Sequence, residues 1–348
     1  MPYAGVGLGT VWTQLRPPKN SAAITADNLP PQHGKVFVVT GGSSGVGLLL
    51  AKELYKKGGR IYVLSRSREK ALGAFQEIRT VLPGDAGERP DSGGLEFIQM
   101  DLEDLESVQK AAKVFRRSEN RLDVLFNIAE TEHAPAGRKT KQGFPYHLGV
   151  NNIGHVLLEK LLKPILTETA KITSKGTVRV IWPTSVLVEL RAPRGGIRID
   201  GLDGPRSETA DYAVSKTANW FAASEISRRT TGHTGVLNIA GNPGCHAAEA
   251  SPWYLHYPFR LSSRDPIHSV ETFLWMAFSG EVTVEDAVAG RYAICDGRWH
   301  PGQRQDLLLA LKRTEEGGTG EASAYMDWCE QKIAPFVTGV ILSLGILS

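Results

Sequence analysis

The chain has 348 residues, 41% of them hydrophobic, enough to bury a large core in one extended domain or in two of ordinary size. A formal net charge of +3 is too small to indicate a nucleic-acid partner or an anionic membrane surface. The cysteines Cys245, Cys295 and Cys329 form no CxxC pair and the nine histidines show no metal-ligand spacing, so neither a disulfide framework nor a metal site is expected, and reduced thiols in the cytoplasm are.

Residues 1–33 are punctuated by proline and read as an irregular arm lying on the domain. No basic segment with an apolar core and a small-residue cleavage site is present there, so no secretory signal is expected. An apolar strand over 35–39 then runs into Thr40-Gly41-Gly42-Ser43-Ser44-Gly45-Val46-Gly47, and a helix follows over 48–55. Strand, glycine turn and helix N-terminus make a phosphate cradle, because glycines admit the backbone closely and the helix end attracts an anion. In that context the motif marks a dinucleotide site whose contacts include Gly41, Ser43, Ser44, Gly45, Val46 and Gly47.

Strands and helices alternate from there. Strands are expected over 60–64, 95–100, 122–127, 177–182 and 236–240, and helices over 68–78, 146–166 (interrupted at Pro164) and 212–227. The alternation predicts an α/β fold, a doubly wound parallel Rossmann-like sheet with helices on both faces. It forms a single domain over 34–313, with the arm before it and a C-terminal helix and apolar tail over 314–348. Residues 83–94 read as a surface loop, and 246–266 break into an aromatic-rich stretch that serves either core packing or a substrate lid. The apolar run 336–347 is too short to span a bilayer; packing on the body or on a second subunit, or shallow membrane attachment, would account for it.

Tyr212-Ala213-Val214-Ser215-Lys216 places a phenol and an ammonium one helical turn apart on one face. The cation favours the phenolate and brings the phenol toward proton transfer at working pH. With the glycine cradle before it and Thr184-Ser185 at a strand end, the chain resembles the short-chain dehydrogenase/reductase family from about residue 35 to 309, most of all the extended fungal members with a proline-rich arm and an Asn-Leu-Pro segment (Asn28-Leu29-Pro30). The resemblance implies that Tyr212 donates or accepts the proton at a carbonyl oxygen. Lys216 lowers its pKa and holds the nicotinamide ribose, Ser185 bonds the substrate oxygen, and Asn151 anchors a relay water. It also implies that Asp101 and Leu102 flank the adenine, that Asn127 and Ala129 border the cofactor, and that Pro243, Gly244 and Cys245 lie beside the nicotinamide. Arg66 stands where relatives that use NAD carry an acid, and an arginine there pairs with a 2′-phosphate, so the expected cofactor is NADP(H). A small-molecule substrate and a homo-oligomer are expected on the same ground.

The chain departs from the family pattern in three places. Asn127-Ile128-Ala129-Glu130 replaces Asn-Asn-Ala-Gly, so a carboxylate, Glu130, stands where a glycine normally leaves room beside the ribose. The threonine that relatives carry after Pro-Gly is missing, and Pro183 precedes Thr184-Ser185. Glu130 either points outward or acts as an acid/base or counter-ion for a cationic substrate. Three readings follow: an NADP(H)-dependent reductase of a ketone or aldehyde; an alkaloid tailoring enzyme of fungal secondary metabolism, performing iminium reduction or Pictet–Spengler-type cyclisation with Glu130 taking part; and a non-catalytic NADP(H)-binding sensor.

Overall fold

Alternation of apolar side chains with both faces covered is what builds the sheet. Val36 and Val38 of β1 (Val36–Thr40) enter one hydrophobic cluster while Phe37 and Val39 enter the other. In β2 (Arg60–Ser65), Tyr62 and Leu64 divide from Ile61 and Val63 in the same way. In this computed structural model, which describes residues 7–17, 22–80, 93–131, 133–135, 137–202, 204, 206–244 and 264–341, six further strands join them. These are β3 (Leu95–Gln99), β4 (Val124–Phe126), β5 (Arg179–Pro183), β6 (Leu237–Gly241), β7 (Tyr292–Ile294) and β8 (Arg298–Trp299). The order is β3-β2-β1-β4-β5-β6-β7-β8; all pairs are parallel except β7 with β8. The order reverses direction between β1 and β4, and at such a switch point the strand ends leave a crevice open.

Helices α1 (Leu8–Leu15), α2 (Gly45–Lys56), α3 (Arg68–Arg79) and α4 (Leu105–Ser118) come first in the chain. The short α5 (Tyr146–Leu148) passes through a π-turn at Gly149–Ile153 into α6 (Gly154–Lys171). Then follow α7 (Leu187–Arg191), α8 (Glu208–Thr234), α9 (Ile267–Phe278), α10 (Val284–Val288), α11 (Gln305–Leu311) and α12 (Glu321–Ile341). One cluster takes most of its helical residues from α4, α6, α8 and α12, the other from α2, α3 and α9, so the sheet is covered on both faces as expected.

Several expectations need correction. The arm is not wholly irregular, since Leu8–Leu15 is helical. Pro164 does not interrupt its helix: the proline lacks one N–H, but Leu161, Leu162, Ile165 and Leu166 are buried around it and hold the turn. The helix bearing Tyr212 begins a turn earlier, where Ser207 accepts the Ala210 N–H, and ends at Gly235 with φ 70°. Its first and last turns are polar, which hid them from an apolar periodicity. Most of the loop 83–94, most of the stretch 246–266 and the end of the apolar tail lie outside the described residues; Phe336 and Val337 of α12 pack on the core. Among the described residues no helix is long and apolar enough to cross a membrane.

Two buried titratable groups on α6 oppose each other in pH. Burial pushes the Glu159 carboxyl up to about 7, moderated by Lys163 and Lys160. Burial also pulls the His155 imidazole down to about 4, against a bond to the Asn151 carbonyl. The raised Glu159 contributes stability that is complete below its unfolded value of 4.5 and lost as pH rises through 7. The depressed His155 contributes stability complete above 6.5 and lost as pH falls through 4. Their slopes oppose each other where the windows overlap. Glu159→Gln is expected to leave the rising His155 slope exposed over that interval and to remove the loss of stability as pH rises through 7, read by urea unfolding across pH.

Candidate active site

The geometry of the glycine turn is set by one contact. A Cβ at Gly47 would lie 2.6 Å from the Gly41 carbonyl oxygen, so only glycine lets the first turn of α2 rest on the end of β1. Gly41 itself has φ +70°, and a Cβ there would meet the Ala129 Cα at 3.0 Å. Ser44 begins the helix without capping it by its side chain, so the first N–H groups of α2 face the cleft.

This cleft, about 650 Å³, runs across the switch point. Gly41, Ser43, Ser44, Val46 and Gly47 line its floor, and Ser65, Arg66, Ser67 and Lys70 line the end beyond β2. Asp101, Leu102 and Ala129 form one wall. Glu130, Ser185, Tyr212, Pro243 and Gly244 gather at the other end. Asn127, Asn151 and Lys216 stand buried behind these surfaces. Gly45 forms the turn with φ +53°, and Cys245 lies outside the described residues.

A nicotinamide dinucleotide suits this donor set. Both atoms of the buried Asn127 amide and the Ser65 hydroxyl lack hydrogen-bond partners within the protein. Leaving such groups unpaired costs about 1–3 kcal/mol each, which a polar ligand at the site relieves. The cradle, the cations at one end and the Tyr–Lys pair at the other match its phosphates, ribose and ring. Ser67 and Lys70 escaped the sequence reading because they belong to the first turn of α3, with Ser67 as its cap.

At the reactive end the Lys216 ammonium is buried, 5.3 Å from the centroid of the Tyr212 ring. It donates to the Glu130 carboxylate in a close ion pair, and weakly to the Pro183 carbonyl at 3.4 Å. Glu130 therefore turns inward. Pro183 closes β5 opposite Gly241, and the ladder resumes at the Thr184 N–H, which donates to the Gly241 carbonyl at 2.7 Å. Ser185 Oγ accepts the Leu187 N–H at 3.2 Å, leaving its own O–H to donate.

Asn151 is held by its π-turn and by a two-way amide clamp. Its Oδ1 accepts the Thr131 N–H at 2.8 Å, and its Nδ2 donates to the Thr131 carbonyl at 3.1 Å and to Ser215 Oγ at 3.0 Å. His155 Nδ1 donates to the Asn151 carbonyl at 3.1 Å, and its Nε2 pairs with Thr40 Oγ1 at 3.0 Å. Thr40 Oγ1 in turn accepts the Ala129 N–H at 2.9 Å, tying the glycine turn to the departing β4 loop. Sequence reading also missed Tyr292 on β7. Its buried hydroxyl accepts from Thr184 Oγ1 and donates to the Ser185 carbonyl at 3.0 Å, which fixes the serine turn.

Fold, glycine cradle and the Tyr–Lys pair define an oxidoreductase of the nicotinamide-binding α/β class, and the chain belongs to the short-chain dehydrogenase/reductase family. The short chain dehydrogenase family profile matches residues 35–183. A short-chain dehydrogenase/reductase of Pestalotiopsis fici, iacJ, is 34% identical over 329 residues, covering 93% of this chain and 97% of its own. That of Emericella nidulans, pkfC, is 38% identical over 334 residues, covering 92% and 98%. Among solved structures, an uncharacterised protein of Mycobacterium paratuberculosis shares the fold with a TM-score of 0.63 at 23% identity, covering 88% of this chain and 96% of that one. Members of the family bind nicotinamide cofactors and act on small molecules.

Because Lys216 is fully buried, its counter-charge has electrostatic consequences that a surface pair lacks. Glu130→Gln removes that charge. The buried ammonium then keeps only the weak Pro183 carbonyl contact, and the substitution is expected to lower stability by about 1–3 kcal/mol, read by urea unfolding at fixed pH.

Proposed function

We propose that this chain is an NADP(H)-dependent oxidoreductase reducing a C=O or C=N group of a small fungal secondary metabolite, with Tyr212 as the proton donor. The observation that carries the reading is the buried Lys216 ammonium beside the Tyr212 ring, at the end of the cleft that Ser185 also lines. A bound nicotinamide would supply the hydride. The chain's own part is to hold and move a proton.

Tyr212 presents its phenol to the cleft from the second turn of α8, and Ser185 presents an O–H from the end of β5. Two hydroxyl donors lining one cleft suit an oxygen on which negative charge develops. Lys216 would hold the ribose hydroxyls and favour the phenolate. Asn151, clamped as described, would hold the relay beneath.

At the opposite end Arg66 and Lys70 supply positive charge, and the Ser65 hydroxyl, unpartnered within the protein, lines the cleft with them from the last residue of β2. That composition suits a 2′-phosphate better than a bare ribose diol. A charge-assisted bond contributes about 1.5–3 kcal/mol, so NADPH is expected to bind roughly 10- to 150-fold more tightly than NADH. Arg66→Ala should remove most of that preference in fluorescence titrations with both cofactors; equal wild-type affinities would end the NADP assignment.

The Glu130–Lys216 pair favours a second reading, in which the substrate is an amine or iminium and Glu130 stabilises its charge or takes its proton. The chemistry would be iminium reduction or Pictet–Spengler-type cyclisation of an alkaloid precursor. Tyr212→Phe separates the two. It keeps the ring's packing and deletes the proton donor, so carbonyl reduction should fall by about 10²–10⁴ with cofactor affinity unchanged. If Tyr212→Phe keeps most of its rate on an amine while Glu130→Gln loses about 10²-fold or more, the second reading replaces the first.

A further inference from the structure

A buried carboxylate joins the N-terminal helix to the loop beside the cleft. Glu189 of α7 lies four residues beyond Ser185 and is 1% exposed. It accepts hydrogen bonds from Thr10 Oγ1, from Gln14 Nε2 at 2.7 Å and from His300 Nε2 at 3.1 Å. His300 Nδ1 accepts the Gly302 N–H at 3.0 Å, so a proton sits on Nε2 and points at the carboxylate.

One charge then orients a series of amides. A carboxylate only accepts, so Gln14 must turn its NH2 toward Glu189, with the other N–H reaching the Thr10 carbonyl at 3.2 Å. Gln14 Oε1 consequently faces the other way and accepts Asn242 Nδ2 at 2.9 Å. Asn242 Oδ1 is left to accept the Gly244 N–H at 3.0 Å. Gly244 has φ +103°, and with Pro243 it lines the cleft at the end that holds Tyr212 and Ser185. Gln14 and Asn242 are both buried, so neither amide has solvent as an alternative partner.

We propose that Gln14 is a positioning residue for the nicotinamide end of the site: through Asn242 it holds the Pro243–Gly244 turn, and the N-terminal helix is thereby a working part of the cofactor pocket. The proposal rests on the reading of the cleft as a nicotinamide dinucleotide site.

Gln14→Met keeps the side chain's length and apolar packing while removing both amide ends. The test compares the Kd of the whole dinucleotide with that of its adenosine-side fragment, by calorimetry on the full chain. The pair is NADPH with 2′,5′-ADP or, if wild type takes NADH, NADH with 5′-AMP. The expected result is a loss of about tenfold for the dinucleotide with the fragment unchanged within about twofold. Equal losses for both ligands, or no loss for either, overturn the proposal. Should Gln14→Met fail to fold, Gln14→Glu gives the same decision: a protonated acid can donate to Glu189 while accepting from Asn242, whereas an ionised one has no donor for Glu189 and is pushed away from it, and from its place beside Asn242, by like charge. Dinucleotide affinity of Gln14→Glu should approach wild type at low pH and weaken as pH rises, with the fragment's ratio to wild type constant. A dinucleotide ratio independent of pH overturns the proposal. Binding of neither dinucleotide by wild type refutes the cofactor reading itself and this inference with it.

Discussion

The approach of Gly47 to the Gly41 carbonyl is the constraint on which the rest of the site depends. It brings α2 down on the end of β1 so that the helix N-terminus opens directly onto the switch point between β1 and β4. A residue with a side chain at position 47 would lift the helix away and carry the first N–H groups with it. The neighbouring walls are keyed to the same turn: Thr40 Oγ1 receives the Ala129 N–H, and it also meets His155 of α6 and the Phe126 carbonyl. His155 then reaches the Asn151 carbonyl. A steric requirement at one glycine is thus transmitted by hydrogen bonds to the π-turn that carries Asn151.

Electrostatics divide the cleft into two ends. Arg66 and Lys70 are exposed cations on a rim, where solvent screens them and a phosphate is needed to make their charge count. Lys216 is buried and carries its counter-charge with it in Glu130. An unpaired ammonium at that depth would be costly, whereas the ion pair and the Pro183 carbonyl stabilise it in the absence of other ligands. Any group that engages Lys216 competes with that carboxylate.

The sheet was legible because β1 and β2 divide their apolar residues between two covered faces, and the glycine cradle because its spacing is dictated by sterics. Tyr212 and Lys216 were legible as a helical i, i+4 pair. The structure added what periodicity cannot carry. The polar first and last turns of α8 depend on the Ser207 cap and Gly235, and the continuity of α6 through Pro164 depends on tertiary burial around it. β7 and β8 are only three and two residues long, too short for any alternation to register. Tyr292 and Gln14 owe their roles to partners more than a hundred residues away in the chain, Ser185 and Glu189 respectively, and local pattern holds no record of them.

The serine end of the cleft is held by groups from distant parts of the chain. Thr184 and Ser185 leave β5 just after Pro183, which has no N–H for the ladder, so the turn begins where strand pairing is weakest. Two buried groups from later strands and loops compensate. Tyr292 on β7 takes the Thr184 hydroxyl and the Ser185 carbonyl, and its ring packs edge-on against Trp220 of α8 at 5.0 Å. Burial raises the Tyr292 phenol well above its ordinary pKa, so it remains a neutral donor at any working pH. Glu189, four residues on, is fixed from the opposite side by His300 and the N-terminal helix. The serine loop is therefore clamped at both ends by side chains that are themselves buried and hydrogen-bonded.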